Sequence, residues 1–359
     1  NVFDYKEGDI FWCTADLGWI TGHSYILYGA LLNGATTVMF EGVPTYPNPS
    51  RFWDIIDKYK VTQFYTAPTA IRSLMTNDYS YVASHDLSSL RVLGSVGEPI
   101  NEEAWHWFND FIGKKRCPIV DTWWQTETGS IMISPLACIT PTKPTYATLP
   151  LPGIQTVLMD EKNNEILGNQ VMGSLCVKFP WPSIARTIWG DHERFVKTYF
   201  SDFPGTYFTG DNALRDEVGY YRITGRADDV VIVSGHNLGT APIEDAINQH
   251  PAVAESAVVG FPHDIKGNAL YSFISLKKEG STRDRDNLKK EINQLIADHY
   301  GPIGKLDKIQ FVDDLPKTRS GKILRRVLRS IALNQLDNFG DTSTMINPEV
   351  VSSIIENRL

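Results

Sequence analysis

The sequence predicts an α/β chain in three parts: a parallel-sheet α/β subdomain over residues 1–135, a small β subdomain over 136–225 and an α+β domain over 226–359. Three observations carry that prediction. Apolar strand-like runs alternate with amphipathic helical stretches up to about residue 135, the pattern of a sheet covered on both faces. Prolines, short β-rich runs and turn residues replace the alternation between about 136 and 225. Beyond Arg226 strands and helices return in a tight set.

In the first part Ser50 is placed to cap a helix whose Phe52, Ile55, Ile56 and Tyr59 recur at helical spacing, and residues 61–66 then read as a buried strand. Asn101, with Glu102 and Glu103 in the first turn, opens a second helix carrying Trp105, Phe108, Phe111 and Ile112 on one face, followed by a strand over 119–122. The β part offers runs over 155–160 and 173–177 and a turn at Asn163-Asn164. In the third part strands are expected over 230–233, 256–260 and 308–312, and helices over 241–249, 284–297 and 322–333. The tail runs through Asn338-Phe339-Gly340-Asp341 to a last helix, with Asn347 as its cap and Pro348 at its first position.

Composition narrows the partners. At 359 residues with 42% hydrophobic content, the chain can bury sizeable cores. A net charge of −8 with interspersed signs argues against nucleic acid as a partner, because sequence-independent binding of it needs a basic surface. No run approaches the length of a membrane span and no signal peptide opens the chain, so no membrane partner is expected. Cys13, Cys117, Cys138 and Cys176 show neither disulfide-framework nor zinc spacing and read as free thiols of a cytoplasmic protein.

The segment Pro316-Lys317-Thr318-Arg319-Ser320-Gly321-Lys322 can aim a lysine at concentrated negative charge from a Ser-Gly turn, although a basic loop alone more often is solvated surface. Gly97-Glu98-Pro99 and Asp121-Thr122-Trp123-Trp124-Gln125-Thr126-Glu127 follow predicted strands, where open α/β sheets bind ligands. Thr209-Gly210-Asp211 puts a carboxylate after a glycine turn, able to accept from both hydroxyls of a ribose. Arg226, in Gly225-Arg226-Ala227-Asp228-Asp229, can add a second ribose or phosphate contact.

These five segments occur in the order used by adenylate-forming enzymes, and the chain is identified as resembling the AMP-forming acetyl-CoA synthetase family from its first residues to its tail. The resemblance implies an acyl-CoA synthetase-like fold, with the β part as a small barrel and the C-terminal domain mobile about a hinge at Asp228. It implies the substrates acetate, ATP and CoA, with Mg²⁺ held at Glu127. Lys322 matches the lysine that contacts the reacting carboxylate and α-phosphate. It is also the residue reversibly acetylated in the family, which implies an acetyltransferase and a deacetylase as partners. Gly97, Glu98, Pro99 and residues 121–126 resemble the segments that hold adenine and the α-phosphate. Ile20, Thr21, Val96 and Trp124 match the acyl pocket, where an indole leaves room for only a very short chain. Thr21, Ser234 and Gly235 match the CoA side. His250 resembles a position near a structural cation, while a lone His after a helix is more often a cap.

Several positions depart from the family. Asn237 stands where an Arg ordinarily binds phosphate, Ala297 where an Arg contacts CoA, and Thr45 where an Asn lies near CoA; asparagine cannot supply the missing charge. A loop of the form SGSTGKPKG, which wraps the β- and γ-phosphates in the family, is not found, so the chain is expected to be a C-terminal portion that is inactive alone. A propionyl-CoA synthetase and a non-catalytic fragment remain the alternatives at this point.

Overall fold

A computed structural model describes residues 1–359 other than Val230, Ser234, Gly235, Ile265, Arg319, Ser320, Asn338 and Asp341; the side chains of Asp228, Ile232, His236, Asn237 and Glu279 also lie outside the description. The chain divides into two units, Asn1–Ile223 and Thr224–Leu359.

The first unit opens with β1 (Ile10–Cys13) and a π-helical turn (Gly22–Tyr28) that continues into α1 (Gly29–Leu32). Then come β2 (Thr36–Thr37), α2 (Arg51–Tyr59), β3 (Gln63–Thr66), α3 (Pro68–Met75), α4 (Ser80–Ala83), β4 (Val92–Ser95), α5 (Glu102–Trp107) and β5 (Ile119–Asp121). The strands form one sheet in the order β2-β1-β3-β4-β5, and every neighbouring pair is parallel. A parallel sheet must be covered on both faces. Trp12, Phe64, Leu93 and Ile119 face a core shared with Phe52, Ile55 and Ile56 of α2 and Phe108 and Ile112 beyond α5. Phe11, Cys13, Tyr65, Val92 and Val120 point the other way, against Val2, Phe3, Ile26 and Ala30. Because the strands run one way, Thr66, Ser95 and Asp121 stand in register at the carboxyl edge, and the segments after them leave on the same side.

Two expected caps are not made. The Ser50 hydroxyl donates to Asp54 Oδ2 (2.9 Å) and Asn48 Oδ1 (2.6 Å), and its backbone is already helical, so no cap bond reaches the N–H groups of α2. Asn101 is extended before α5 but its side chain caps nothing. Phe111 is 39% exposed and Tyr59 48%, so neither belongs to the buried face of its helix. A π-helical turn over Phe108–Ile112 rotates the end of the second helix away from strict α spacing, which turns Phe111 outward.

The unit continues with β6 (Thr156–Met159), β7 (Val171–Val177), α6 (His192–Phe200), β8 (Tyr207–Arg215) and the first half of β9 (Tyr221–Arg226), within which the unit ends, the strands ordered β6-β7-β8-β9. The turn at Asn163 is present, with φ 62°. Thr209-Gly210-Asp211 does not follow a turn: it lies inside β8, where Tyr207, Thr209, Asp211 and Ala213 point to the buried face in strict alternation.

The second unit holds β10 (Val231–Val233), β11 (His236–Leu238), α7 (Thr240–Asn248), β12 (Val253–His263), β13 (Gly267–Leu276), α8 (Arg285–Tyr300), β14 (Lys308–Val312), α9 (Arg325–Ala332) and α10 (Glu349–Glu356). β13 pairs antiparallel with β12 and parallel with β14. Val258, Leu270 and Ile274 face α7 and α8, while Ala257, Val259, Tyr271 and Phe273 face α9 and α10. α9 starts three residues later than the sequence implies, leaving Lys322 outside it. Asn347 does not cap α10: that helix starts at Glu349 behind Pro348, and the Asn347 side chain is used elsewhere.

Candidate active site

At the carboxyl edge of the parallel sheet, short side chains knit adjacent strand ends together. Thr14 and Thr66 share a hydrogen bond of 2.6 Å between hydroxyls, as do Tyr65 and Thr122. The Glu98 carboxylate accepts the Thr69 N–H at 2.8 Å and the Thr69 hydroxyl, and pairs with Arg72. It therefore caps α3, whose own N-cap residue, Ala67, has no side-chain oxygen to offer. Gly97 and Pro99 on either side are exposed, so the peptide, rather than the carboxylate, is what this segment presents to solvent.

Asp121 closes β5 with its carboxyl buried, and burial pushes its pKa up to about 7. The chain beyond it crosses to the second sheet. Asp211, 8% exposed, accepts through Oδ2 from Trp123 Nε1 (3.1 Å) and from Gln125 Nε2 (2.9 Å). Gln125 Nε2 also donates to Thr209 O (2.7 Å), and Gln125 Oε1 accepts from the Tyr207 hydroxyl (3.0 Å). Tyr207 stacks on Tyr199 at 5.3 Å between ring centroids, and the Tyr199 hydroxyl donates to Glu127 Oε1 (2.6 Å). Thr126 is exposed at the crest of this loop. Gly129 ends it at φ +72°, and a Cβ there would lie 2.5 Å from Ser183 O, so only glycine lets the two segments approach.

Trp124 turns toward the other core. Its ring meets Tyr25 edge-on at 5.1 Å, its Nε1 donates to the Tyr65 hydroxyl (3.3 Å), and it packs on the cluster that contains Val96 and Ile26. Ile20 is half-buried and Thr21 buried where the helical segment carrying Ile26 begins. Thr45 is exposed. Among the described residues no group of three or more His, Cys, Asp or Glu could hold a metal ion, so Glu127 stands as a single carboxylate.

In the second unit Lys322 is exposed on a tight antiparallel turn. Thr318 N–H donates to Lys322 O (2.9 Å) and Gly321 N–H to Thr318 O (2.8 Å), with Gly321 at φ 83°, the left-handed geometry such a turn requires. Arg325 of α9 forms a two-point pair with the buried Glu244 of α7, and Arg329 pairs with Asp229. Arg226 ends β9 and is exposed. Asp228 sits in a single 3₁₀ turn, Ala227–Asp229, with its side chain outside the description. Ser234 and Gly235 lie outside the described residues, as does the side chain of Asn237. Ala297 is half-buried on α8. His250 is buried and uses both ring nitrogens: Nε2 meets Glu291 Oε2 at 2.9 Å and Nδ1 accepts the Ala252 N–H at 3.3 Å. A cation there would have to displace one of these partners.

Tyr199, Tyr207, Thr69 and Arg72 are the supporting residues that sequence reasoning missed. Nothing local marks them: residues 207–213 carry no apolar–polar alternation, and the period-two burial of β8 that sets Tyr207 in place emerges only in the structure.

The model of the AMP-binding enzyme family matches residues 1–189, and that of the AMP-binding enzyme C-terminal domain matches residues 242–322. The acetyl-coenzyme A synthetase of Alkalilimnicola ehrlichii is 57% identical over 99% of this chain and 55% of its own length. Acetyl-coenzyme A synthetase 2 of Pseudomonas aeruginosa is 58% identical over 100% of this chain and 55% of its own. Among solved structures, an anthranilate CoA ligase in complex with anthranoyl-AMP superposes with a TM-score of 0.80 at 28% identity, covering 93% of this chain and 62% of that one. The chain thus spans about half the length of the curated relatives it matches.

Proposed function

The chain belongs to the AMP-binding enzyme family, and we propose that the whole protein is an AMP-forming acetate:CoA ligase. An acetate oxygen attacks the α-phosphorus of ATP and pyrophosphate leaves; the CoA thiol then attacks the carbonyl carbon of acetyl-adenylate and AMP leaves. The observation that carries this reading is the direct bonding of the Trp123–Glu127 loop, at the carboxyl edge of the parallel sheet, to Asp211 of β8. That arrangement offers a fixed carboxylate for ribose hydroxyls beside a loop suited to the base and α-phosphate, with Gly97-Glu98-Pro99 and Thr122 on the same edge.

Each remaining role follows from chemistry at a named position. Lys322 supplies positive charge where negative charge accumulates during adenylation, a kind of contribution worth on the order of 10²- to 10³-fold. Arg226 adds a ribose or phosphate contact. Mg²⁺ typically takes one or two protein carboxylates together with substrate phosphates, so Glu127 fits as its single protein ligand. When bound, the ion neutralises phosphate charge. Asp228, in a short linker turn, serves as the pivot by which Lys322 withdraws before Ser234, Gly235 and Thr21 serve the CoA step. Lys322, exposed as it is, suits reversible acetylation, which would remove the charge adenylation uses. The four cysteines are free thiols, in keeping with a cytoplasmic setting.

Trp124 fills the floor of an acyl pocket with Ile20, Thr21 and Val96, and limits it to the shortest acids. Propionate adds one methylene, worth about 1–3 kcal/mol in an apolar pocket, so acetate over propionate is a preference rather than an exclusion. The test is AMP formation by the whole protein. It should require both acetate and CoA, and kcat/KM should fall along the straight-chain acids from acetate upward. Trp124→Gly should move the optimum toward four- to six-carbon acids. AMP formation indifferent to acetate, or an unchanged acid profile in a folded Trp124→Gly protein, would reject the reading of substrate or pocket respectively.

A further inference from the structure

A lysine on a flexible four-carbon stem is aimed by its backbone, so the hold on the turn carrying Lys322 bears on catalysis. The turn closes on itself through Thr318, Gly321 and Lys322, and Leu324 N–H donates to Pro316 O at 2.8 Å. It is anchored from outside by the tail that follows α9. Met345 forms an antiparallel bridge with Thr318, and Ile346 N–H donates to Lys317 O at 3.0 Å. Asn347, 8% exposed, accepts the Lys317 N–H through Oδ1 (3.0 Å) and donates through Nδ2 to Leu315 O (2.9 Å) and Asp314 Oδ2 (3.0 Å). The Asp314 carboxylate in turn receives the Lys317 ammonium at 2.8 Å, and that ammonium also pairs with Glu255 of β12.

The side chain of Asn347 is thus spent entirely on the segment that leads into the Lys322 turn. An asparagine just before a helix ordinarily caps it, yet α10 begins without a side-chain cap bond. The match to the family's C-terminal model ends at residue 322, so Met345, Ile346 and Asn347 lie beyond the matched region.

We infer that Asn347, with the tail segment it terminates, is a positioning residue for Lys322 in adenylate formation, acting by fixing the backbone from which the ammonium is aimed. The inference rests on the role proposed above for Lys322. Misplacement of a reacting group by about 1 Å can cost on the order of 100-fold.

In the whole protein, acetate-dependent exchange of pyrophosphate with ATP reads adenylate formation, and thioester formation from supplied acetyl-adenylate reads the other half-reaction. Asn347→Ala should lower exchange by about 10- to 100-fold while thioester formation is retained, and it should lower the residual exchange of Lys322→Ala no further. Unchanged exchange, equal loss of both half-reactions, or an additive loss on Lys322→Ala overturns the inference. If Asn347→Ala does not give a cooperative melt, Asn347→Asp is judged by the same criteria; it keeps the volume and the acceptor for Lys317 but loses the Nδ2 donors. Exchange that survives Lys322→Ala itself would sink the reading of Lys322, and this inference with it. Exchange lost in Lys322→Ala but intact in the Asn347 variant sinks the inference alone.

Discussion

In the first unit Asp211, Trp123, Gln125, Tyr207, Tyr199 and Glu127 are joined side chain to side chain, so each holds a neighbour in place. In the second unit Lys322 stands exposed on a turn whose backbone is held from outside, and its ammonium makes no hydrogen bond or ion pair among the described residues. The difference separates two kinds of site residue. An interlocked residue contributes to stability and to ligand binding together, because removing it strands its partners. A residue presented alone contributes to chemistry and almost nothing to the fold.

The sharpest expected contrast comes from Lys322→Ala in the whole protein. Acetyl-adenylate formation should fall by at least about 10²- to 10³-fold, thioester formation from supplied acetyl-adenylate should persist, and Tm should stay where it was. Half-reaction assays beside a thermal melt check all three. A clear drop in Tm would break the comparison by showing that Lys322 also holds its turn together.

Asp211→Ala should behave in the opposite way. It leaves the buried Trp123 indole N–H without its acceptor and takes one acceptor from the half-buried Gln125 amide, which keeps Thr209 O. Orphaned donors of this kind cost about 1–3 kcal/mol each. Tm should therefore fall along with AMP affinity, measured by calorimetry on the same preparation. Lost affinity with an unmoved Tm would mean that the network is slack and that the two regions do not differ in this respect.

The sequence made the alternation of strands and helices legible because a parallel sheet buried on both faces needs apolar strands separated by amphipathic helices, and both patterns are local. It also made the motif loops legible, since they leave at strand ends. Partner choices at a distance were not. Ser50 and Asn101 have the chemistry of caps, but Ser50 found Asp54 and Asn48 first, and the cap that α3 needed came from Glu98, on the neighbouring strand's exit loop. Asn347 had the place of a cap and was taken by the Lys322 turn instead. Asp211 looked like a turn residue because Gly210 precedes it; residues 207–213 carry no apolar–polar alternation, and the strand shows only in the alternating burial of Tyr207, Thr209, Asp211 and Ala213. The long β13 escaped notice because Ala269, Leu270, Tyr271 and Phe273 are buried on both faces, which erases the period of two.

Asp121 gives the last test and concerns a buried carboxyl at the edge of the parallel sheet. Burial raises its folded pKa to about 7 from the ordinary 3.8, because ionising it inside the sheet edge forfeits hydration. Between those two values the folded chain keeps a proton that the unfolded chain releases. The contribution to stability is therefore fully present below about pH 4, declines as pH rises, and is gone once the pH passes the folded value. The slope can reach at most about 1.4 kcal/mol per pH unit. Asp121→Asn cannot ionise, so it should lack this decline. Thermal melts of the two whole proteins should differ least near pH 4 and diverge toward pH 7.5, with the asparagine protein the more stable at the upper end. Curves that stay parallel across that range would mean that the Asp121 carboxyl ionises as freely as an exposed one, and that the carboxyl edge is open to water at the point where the Trp123–Glu127 loop begins.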